Sequence, residues 1–185
     1  MLLAYLLGGV PSGVLLARLV GVDPRRHGSG NIGATNVARA AGRRIGLLTL
    51  VADVAKGALA VGVAMVAVPG PWPAALAGIA AVAGHCWPIA LRFRGGKGVA
   101  TALGVLLVLA PAAALVAIGV FVVVLRTARW VSVASLAGTV AAPLALAAGG
   151  GALPAVAAAT AIAVCVFVRH RDNLARLRDG LEPRV

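Results

Sequence analysis

Six apolar runs, separated by gaps of which several are rich in arginine, constrain this chain more than any other feature. They cover Leu2–Val22, Ile45–Val68, Pro73–Leu91, Val99–Leu125, Val131–Ala148 and Leu153–Val168. Most approach the ~20 residues that a helix needs to cross about 30 Å of hydrocarbon. Of 185 residues, 61% are hydrophobic and 12% are charged, with a mean hydropathy of +1.01. A water-soluble globule is excluded, because it would expose far more apolar surface than a monomer tolerates. Disorder is excluded by the same hydrophobicity. What remains is an all-α integral membrane protein forming one polytopic domain over residues 1–185.

The fourth run is ambiguous: it has 27 residues, with Pro111 near its middle. Reading it as two short spans, 99–110 and 112–125, gives seven transmembrane helices (about 2–22, 45–68, 73–91, 99–110, 112–125, 131–148 and 153–168). The N-terminus is then outside and the C-terminus cytoplasmic. The inner segments, 23–44, 92–98, 126–130 and 169–185, then hold 15 of the 17 Lys and Arg residues. The outer turns near Gly70, Pro111 and Gly150 hold none. Six spans would move seven arginines outside, against the positive-inside bias. Each half of the divided run would reach only about 18–21 Å, requiring a thinned bilayer or burial against neighbours.

The formal charge of +12 would suggest nucleic acid on a soluble protein. Here the basic residues sit between spans and aromatic residues are 4%, so cytoplasmic loops that grip anions are expected, and no nucleic acid. Cys86 and Cys165 lie in or beside apolar segments without metal-ligand spacing, and no disulfide framework is expected. The first run lacks a basic leader and a cleavage site, and is expected to be a retained span.

Chemistry concentrates on the inner segments. The first reads Gly28-Ser29-Gly30-Asn31-Ile32-Gly33-Ala34-Thr35-Asn36. Its glycines permit sharp turns and close approach of a ligand, and successive N–H groups can form an anion nest. Ser29, Asn31, Thr35 and Asn36 add neutral donors, and Arg39, Arg43 and Arg44 add charge. A helix starting near Ala34 would add its dipole. The bland alternative is a flexible loop.

The second inner segment carries Gly84-His85-Cys86-Trp87-Pro88 and then Arg92-Phe93-Arg94-Gly95-Gly96-Lys97-Gly98. Lys97 among glycines is not a Walker A loop, since Gly98 stands where Ser or Thr is required and Leu91 where the first Gly belongs. A lysine point charge on a close-approach backbone remains. A mere positive-inside anchor explains the arginines but not the glycines. In the tail, Arg169-His170-Arg171-Asp172-Asn173-Leu174-Ala175-Arg176 places His170 and Asn173 on one helical face at i, i+3. A basic helix lying on anionic lipid accounts equally for the arginines.

Asp53 and Lys56 lie inside the second run at i, i+3, and Arg18 near the inner end of the first is available to join them. Intramembrane charges are functional candidates, and a structural ion pair is an equal reading. Some chemistries are excluded. The five carboxylates form no D-x-x-D metal pair, and no His is followed five positions on by Asp. No nucleophile with its base is visible in local sequence. An enzyme built this way needs an activated, anionic substrate, and no metal or cofactor is implied.

Taken together, G-S-G-N-I-G-A-T-N, G-H-C-W-P…F-R-G-G-K-G-V-A-T and H-R-D-N-L-A-R-L…G-L-E resemble, in this order and over essentially the whole chain, three motifs of the bacterial acyl-phosphate-dependent glycerol-3-phosphate acyltransferases, the PlsY family. Trp87 stands where Phe is common there. The resemblance implies a seven-helix enzyme of the bacterial inner membrane with its active site at the cytoplasmic face. It would move an acyl chain from acyl phosphate to the 1-hydroxyl of sn-glycerol 3-phosphate, giving lysophosphatidic acid and phosphate for phospholipid synthesis. It also implies that Gly28, Ser29, Gly30, Asn31, Gly33, Ala34, Thr35 and Asn36 form an acyl-phosphate pocket. Ser29, Arg39, Lys97, His170 and Asn173 would surround glycerol 3-phosphate, with Ser29, Lys97, His170 and Asn173 closest to the chemistry. Gly95, Gly96, Gly98 and His85 would complete the substrate site, with Asp53 and Lys56 supporting it. Membrane lipid is the expected surroundings, and no obligate protein partner is expected.

Two other classes stay in view. A transporter for a phosphorylated metabolite needs a polar site near the midplane, where only Asp53 and Lys56 lie. A non-catalytic anionic-lipid binder does not need glycine-rich loops on several inner segments.

Overall fold

The computed structural model describes residues 1–184 as a bundle of ten helices. They are α1 (Leu2–Gly8), α2 (Ser12–Arg18), α3 (Ala34–Ala41), α4 (Arg43–Ala67), α5 (Pro71–Cys86), α6 (Val99–Leu109), α7 (Pro111–Ala128), α8 (Val131–Ala148), α9 (Leu153–Arg169) and α10 (Arg171–Arg178).

The first apolar run is not one helix, as expected from its length, but two. Pro11 lacks the N–H that would continue α1 into α2. The break leaves the Val10 carbonyl to accept a hydrogen bond from Lys56 at 2.9 Å. The ambiguous fourth run divides as its proline suggests, with α6 ending one residue before Ala110 and Pro111 opening α7. Its second half is longer than expected. The 18 residues of α7 reach about 27 Å and carry Arg126 in the last turn rather than in a loop. α6, with 11 residues, is short.

Four stretches among the described residues are long and apolar enough to cross a bilayer: Arg43–Ala67, Pro71–Leu91, Pro111–Ala128 and Val131–Ala148. α9 and α10, bent by 54° where they meet, make a fifth if taken together, while Leu2–Arg18 and α6 are shorter apolar segments. Broad apolar faces point outward, with Leu47, Val51, Leu59 and Val66 of α4 and Leu115 and Val123 of α7 all exposed. This is the pattern of helices solvated by hydrocarbon.

Inside, small residues let the backbones close on one another. A Cβ at Gly104 would strike the Val54 carbonyl, and one at Gly57 the Thr101 carbonyl, so the backbones of α4 and α6 touch at these points. The core joins Val61, Val82, Val105, Ile162 and Val166 from α4, α5, α6 and α9.

Candidate functional site

The first glycine-rich loop is built around one side chain. Asn36, in the first turn of α3 and nearly fully buried, donates from Nδ2 to the carbonyls of Pro24 (2.9 Å), His27 (3.0 Å) and Asn31 (2.8 Å). Its Oδ1 accepts from the Ser29 N–H at 3.0 Å. Asn31 Oδ1 in turn accepts from the Gly33 N–H at 2.8 Å. Asn36, expected as a ligand donor, has both side-chain polar atoms occupied in shaping the loop, whereas Asn31 uses only its Oδ1 in this way. Gly28 turns through φ +54° and Gly30 through +69°; a Cβ on Gly28 would meet Asn36 Oδ1. The helix expected near Ala34 starts there, with its dipole facing the loop.

The second loop is held from two sides. The Gly95 N–H donates to Cys86 O (3.2 Å) and that of Gly96 to His85 O (3.0 Å). Arg169 donates to the Gly96 and Gly95 carbonyls at 2.9 and 2.8 Å. Lys97 follows, and Gly98 at φ +83° opens α6.

The tail supplies the third wall. His170 sits at the bend between α9 and α10, its Nδ1 2.8 Å from Val166 O. A carbonyl only accepts, so Nδ1 carries the hydrogen and Nε2 of the neutral ring is an acceptor. Asn173 donates from Nδ2 to Glu182 at 2.6 Å, leaving its buried Oδ1 without a partner. Arg176 also donates to Glu182, at 2.8 Å.

These pieces wall one cavity of about 820 Å³. Gly28, Ser29, Asn31, Gly33, Ala34, Thr35, Asn36, Arg39, Lys97, Gly98, His170 and Asn173 line its polar end, with Asp53 and His85 reaching it from behind. The opposite arm is apolar, running past Val99, Leu103 and Leu106 of α6, Ile118, Phe121 and Val122 of α7, and Val131 of α8. Gly30, Gly95, Gly96 and Lys56 are not on the wall. Gly95 and Gly96 lie against the end of α5, where a Cβ would strike His85.

Lys56 pairs with Asp53 at 2.9 Å, and Asp53 also accepts from the Ser12 hydroxyl and lies 3.6 Å from His85 Nδ1. The ion-pair reading of these intramembrane charges is thus the observed one, and it ties α2, α4 and α5 together. Arg18 does not join them: it is exposed, and its charge acts on Asp23 in the inner loop.

Burial pulls the Lys97 ammonium down to about 8; Glu182 opposes the fall, and Arg176 and Arg39 deepen it. Burial pushes the Glu182 carboxyl up, but hydrogen bonds from Asn173 and Arg176 outweigh this and hold it below its ordinary value. The polar end thus holds three cations, Arg39, Lys97 and Arg176, while its two carboxylates are already paired, Glu182 with Arg176 and Asp53 with Lys56, an arrangement suited to gripping phosphate.

The glycerol-3-phosphate acyltransferase family model matches residues 1–180. The chain belongs to this family. It is 48% identical over 182 residues to the glycerol-3-phosphate acyltransferase of Geobacter sulfurreducens, covering 98% of this chain and 93% of that protein. It is 45% identical over 181 residues to that of Rubrobacter xylanophilus, covering 98% and 91%. Among solved structures it matches PlsY (YgiH), an integral membrane glycerol 3-phosphate acyltransferase, in its glycerol 3-phosphate form. The TM-score is 0.95 at 40% identity, over all of this chain and 92% of that one. The lysophosphatidic acid form of PlsY matches with a TM-score of 0.92, also at 40% identity, over 98% and 91%.

Two residues of the cavity wall, Arg176 and Glu182, and one behind the second loop, Arg169, were not singled out from the sequence. Arg176 and Glu182 stand within the third motif, so their signal was present. What a string of letters does not convey is that Glu182 folds back nine positions to hold Asn173.

Proposed function

We propose that this chain is an acyl-phosphate:glycerol-3-phosphate acyltransferase of the bacterial inner membrane. It has seven spans, the N-terminus outside, and the C-terminus and active site on the cytoplasmic face. The observation that carries this reading is that one cavity has both a polar and an apolar end. Its cationic end suits two phosphates, and its apolar arm extends about 10 Å along α6, from Val99 to Leu106, as an acyl chain requires.

In this reading the loop from Gly28 to Asn36 and the start of α3 hold the donor's phosphate with backbone N–H groups. Ser29, Arg39, Lys97, His170 and Asn173 hold glycerol 3-phosphate, with His170 Nε2 and the unpartnered Asn173 Oδ1 as acceptors for its hydroxyls. The 1-hydroxyl oxygen attacks the acyl carbonyl carbon. The bond from that carbon to the phosphate oxygen breaks, and the hydroxyl proton passes to the departing phosphate. Acyl phosphate is a mixed anhydride, so no covalent enzyme intermediate is needed. The protein's part is to place fixed dipoles and cations where charge gathers on the leaving group. Asp53 and Lys56 support the site by fixing α4 and α5 behind it. The same pairing disfavours a transporter, since it ties up the charged groups at depth.

The test is phosphate release by purified protein in lipid, supplied with glycerol 3-phosphate and palmitoyl phosphate, against product formation with palmitoyl-CoA. Release that needs both substrates, with CoA ester inert, supports the reading. Silence from folded protein with either donor overturns it. A labelled, kinetically competent acyl-enzyme from labelled donor would sink direct transfer.

A further inference from the structure

Arg169 is the last residue of α9, adjacent to His170, yet its guanidinium faces away from the substrate cavity. It donates to two successive carbonyls, Gly96 O through Nε at 2.9 Å and Gly95 O through a terminal nitrogen at 2.8 Å. It also lies over the Trp87 ring, 6.0 Å from the centroid. No carboxylate is within ion-pair distance of it among the described residues. A cation placed between helices without a counter-ion is costly, and here two carbonyl dipoles and an aromatic face receive it.

The segment it grips is tied on its other side as well. The N–H groups of Gly95 and Gly96 bond to the carbonyls at the end of α5. Neither glycine has room for a Cβ, which would strike His85. Four hydrogen bonds thus fix the two residues that precede Lys97. Two of the four come from the residue that precedes His170.

We propose that Arg169 is a positioning residue for the transfer reaction, a clamp that sets the Lys97 loop against the His170–Asn173 turn so that both face one substrate. The guanidinium fork suits this task because it meets two acceptors at once in a fixed geometry. A lysine supplies the same charge to only one of them. The reaction named here rests on the function proposed above; the clamp itself is a statement about the loop and is testable without activity.

The first measurement is amide hydrogen exchange across residues 94–98 in purified wild type and Arg169→Lys. The clamp predicts at least about tenfold faster exchange there in the variant, with exchange through α4 and α8 unchanged. Unchanged exchange at the loop overturns it. The second is kcat/KM for glycerol 3-phosphate in Arg169→Lys, Lys97→Arg and the double variant. Residues acting as one unit are non-additive. The double variant is therefore expected to lose clearly less than the product of the two single losses, while a full product overturns the clamp. Should Arg169→Lys fail to fold, Trp87→Leu removes the ring beneath the guanidinium and leaves every carbonyl in place. It is expected to raise exchange at the same loop, and an unmoved loop there overturns the clamp. An inactive wild type with the predicted exchange would count against the acyltransferase reading alone.

Discussion

Lys97 is half-buried beside other cations. Desolvation lowers its ammonium most, Arg176 and Arg39 push the same way and Glu182 opposes them, leaving it at about 8. The sign of the consequence is fixed. A lowered pKa on a cation means that the charge is complete below 8 and disappears as pH rises through that value. If Lys97 grips a phosphate in the reacting complex, kcat/KM in free enzyme falls above about pH 8. In Lys97→Arg the guanidinium stays charged, so that alkaline limb is expected to vanish even though the overall rate is lower. A pH–rate profile of the two proteins checks this, and an identical limb in both contradicts the assignment. Lys97→Met, which removes the charge altogether, is expected to lower kcat/KM by at least about 100-fold, the scale of one preorganised donor in an active site.

At the scale of the element, the buried pair on α4 decides how the helices behind the cavity sit. Asp53 and Lys56 lie about 15 and 20 Å from the start of α4 at Arg43, and partners come from the junction of α1 and α2. Removing one member of a buried pair leaves the other uncompensated, typically at ~3–5 kcal/mol. Asp53→Asn is therefore expected to lower the melting temperature in detergent sharply. Asp53→Asn with Lys56→Met is expected to recover part of that loss, and equal melting in the single and double variants would contradict the account. Much of this level was legible in the sequence: the i, i+3 spacing fixed the pair, Pro111 marked the junction of α6 and α7, and Ala34 marked the start of α3. Two features were not. The break at Gly9–Pro11 falls inside an unbroken apolar run, and hydropathy does not register a missing N–H. Asn36 reads as a ligand donor because its bonds to Pro24, His27 and Asn31 form only once the loop has closed on itself.

For the whole molecule, position in the membrane follows from charge. The proposed seven-span topology would place the loops carrying Arg94 and Arg178 in the cytoplasm and the turns at Gly70 and Gly150 outside. With Cys86 and Cys165 replaced, single cysteines at these four positions test it in intact cells. A membrane-impermeant maleimide is expected to label positions 70 and 150 and to spare 94 and 178 until the cells are opened; labelling of 178 from outside would overturn the topology.

In the proposed reaction one cavity brings two phosphates together and an acyl group passes directly from donor to acceptor. Its most direct test is the stoichiometry of a single reaction, with purified protein, palmitoyl phosphate and labelled glycerol 3-phosphate, following lysophosphatidic acid and inorganic phosphate together. Direct transfer yields equal amounts of both at every time point, and neither without glycerol 3-phosphate. Phosphate released without acylated product, or lysophosphatidic acid formed from acyl-CoA in its place, would contradict it.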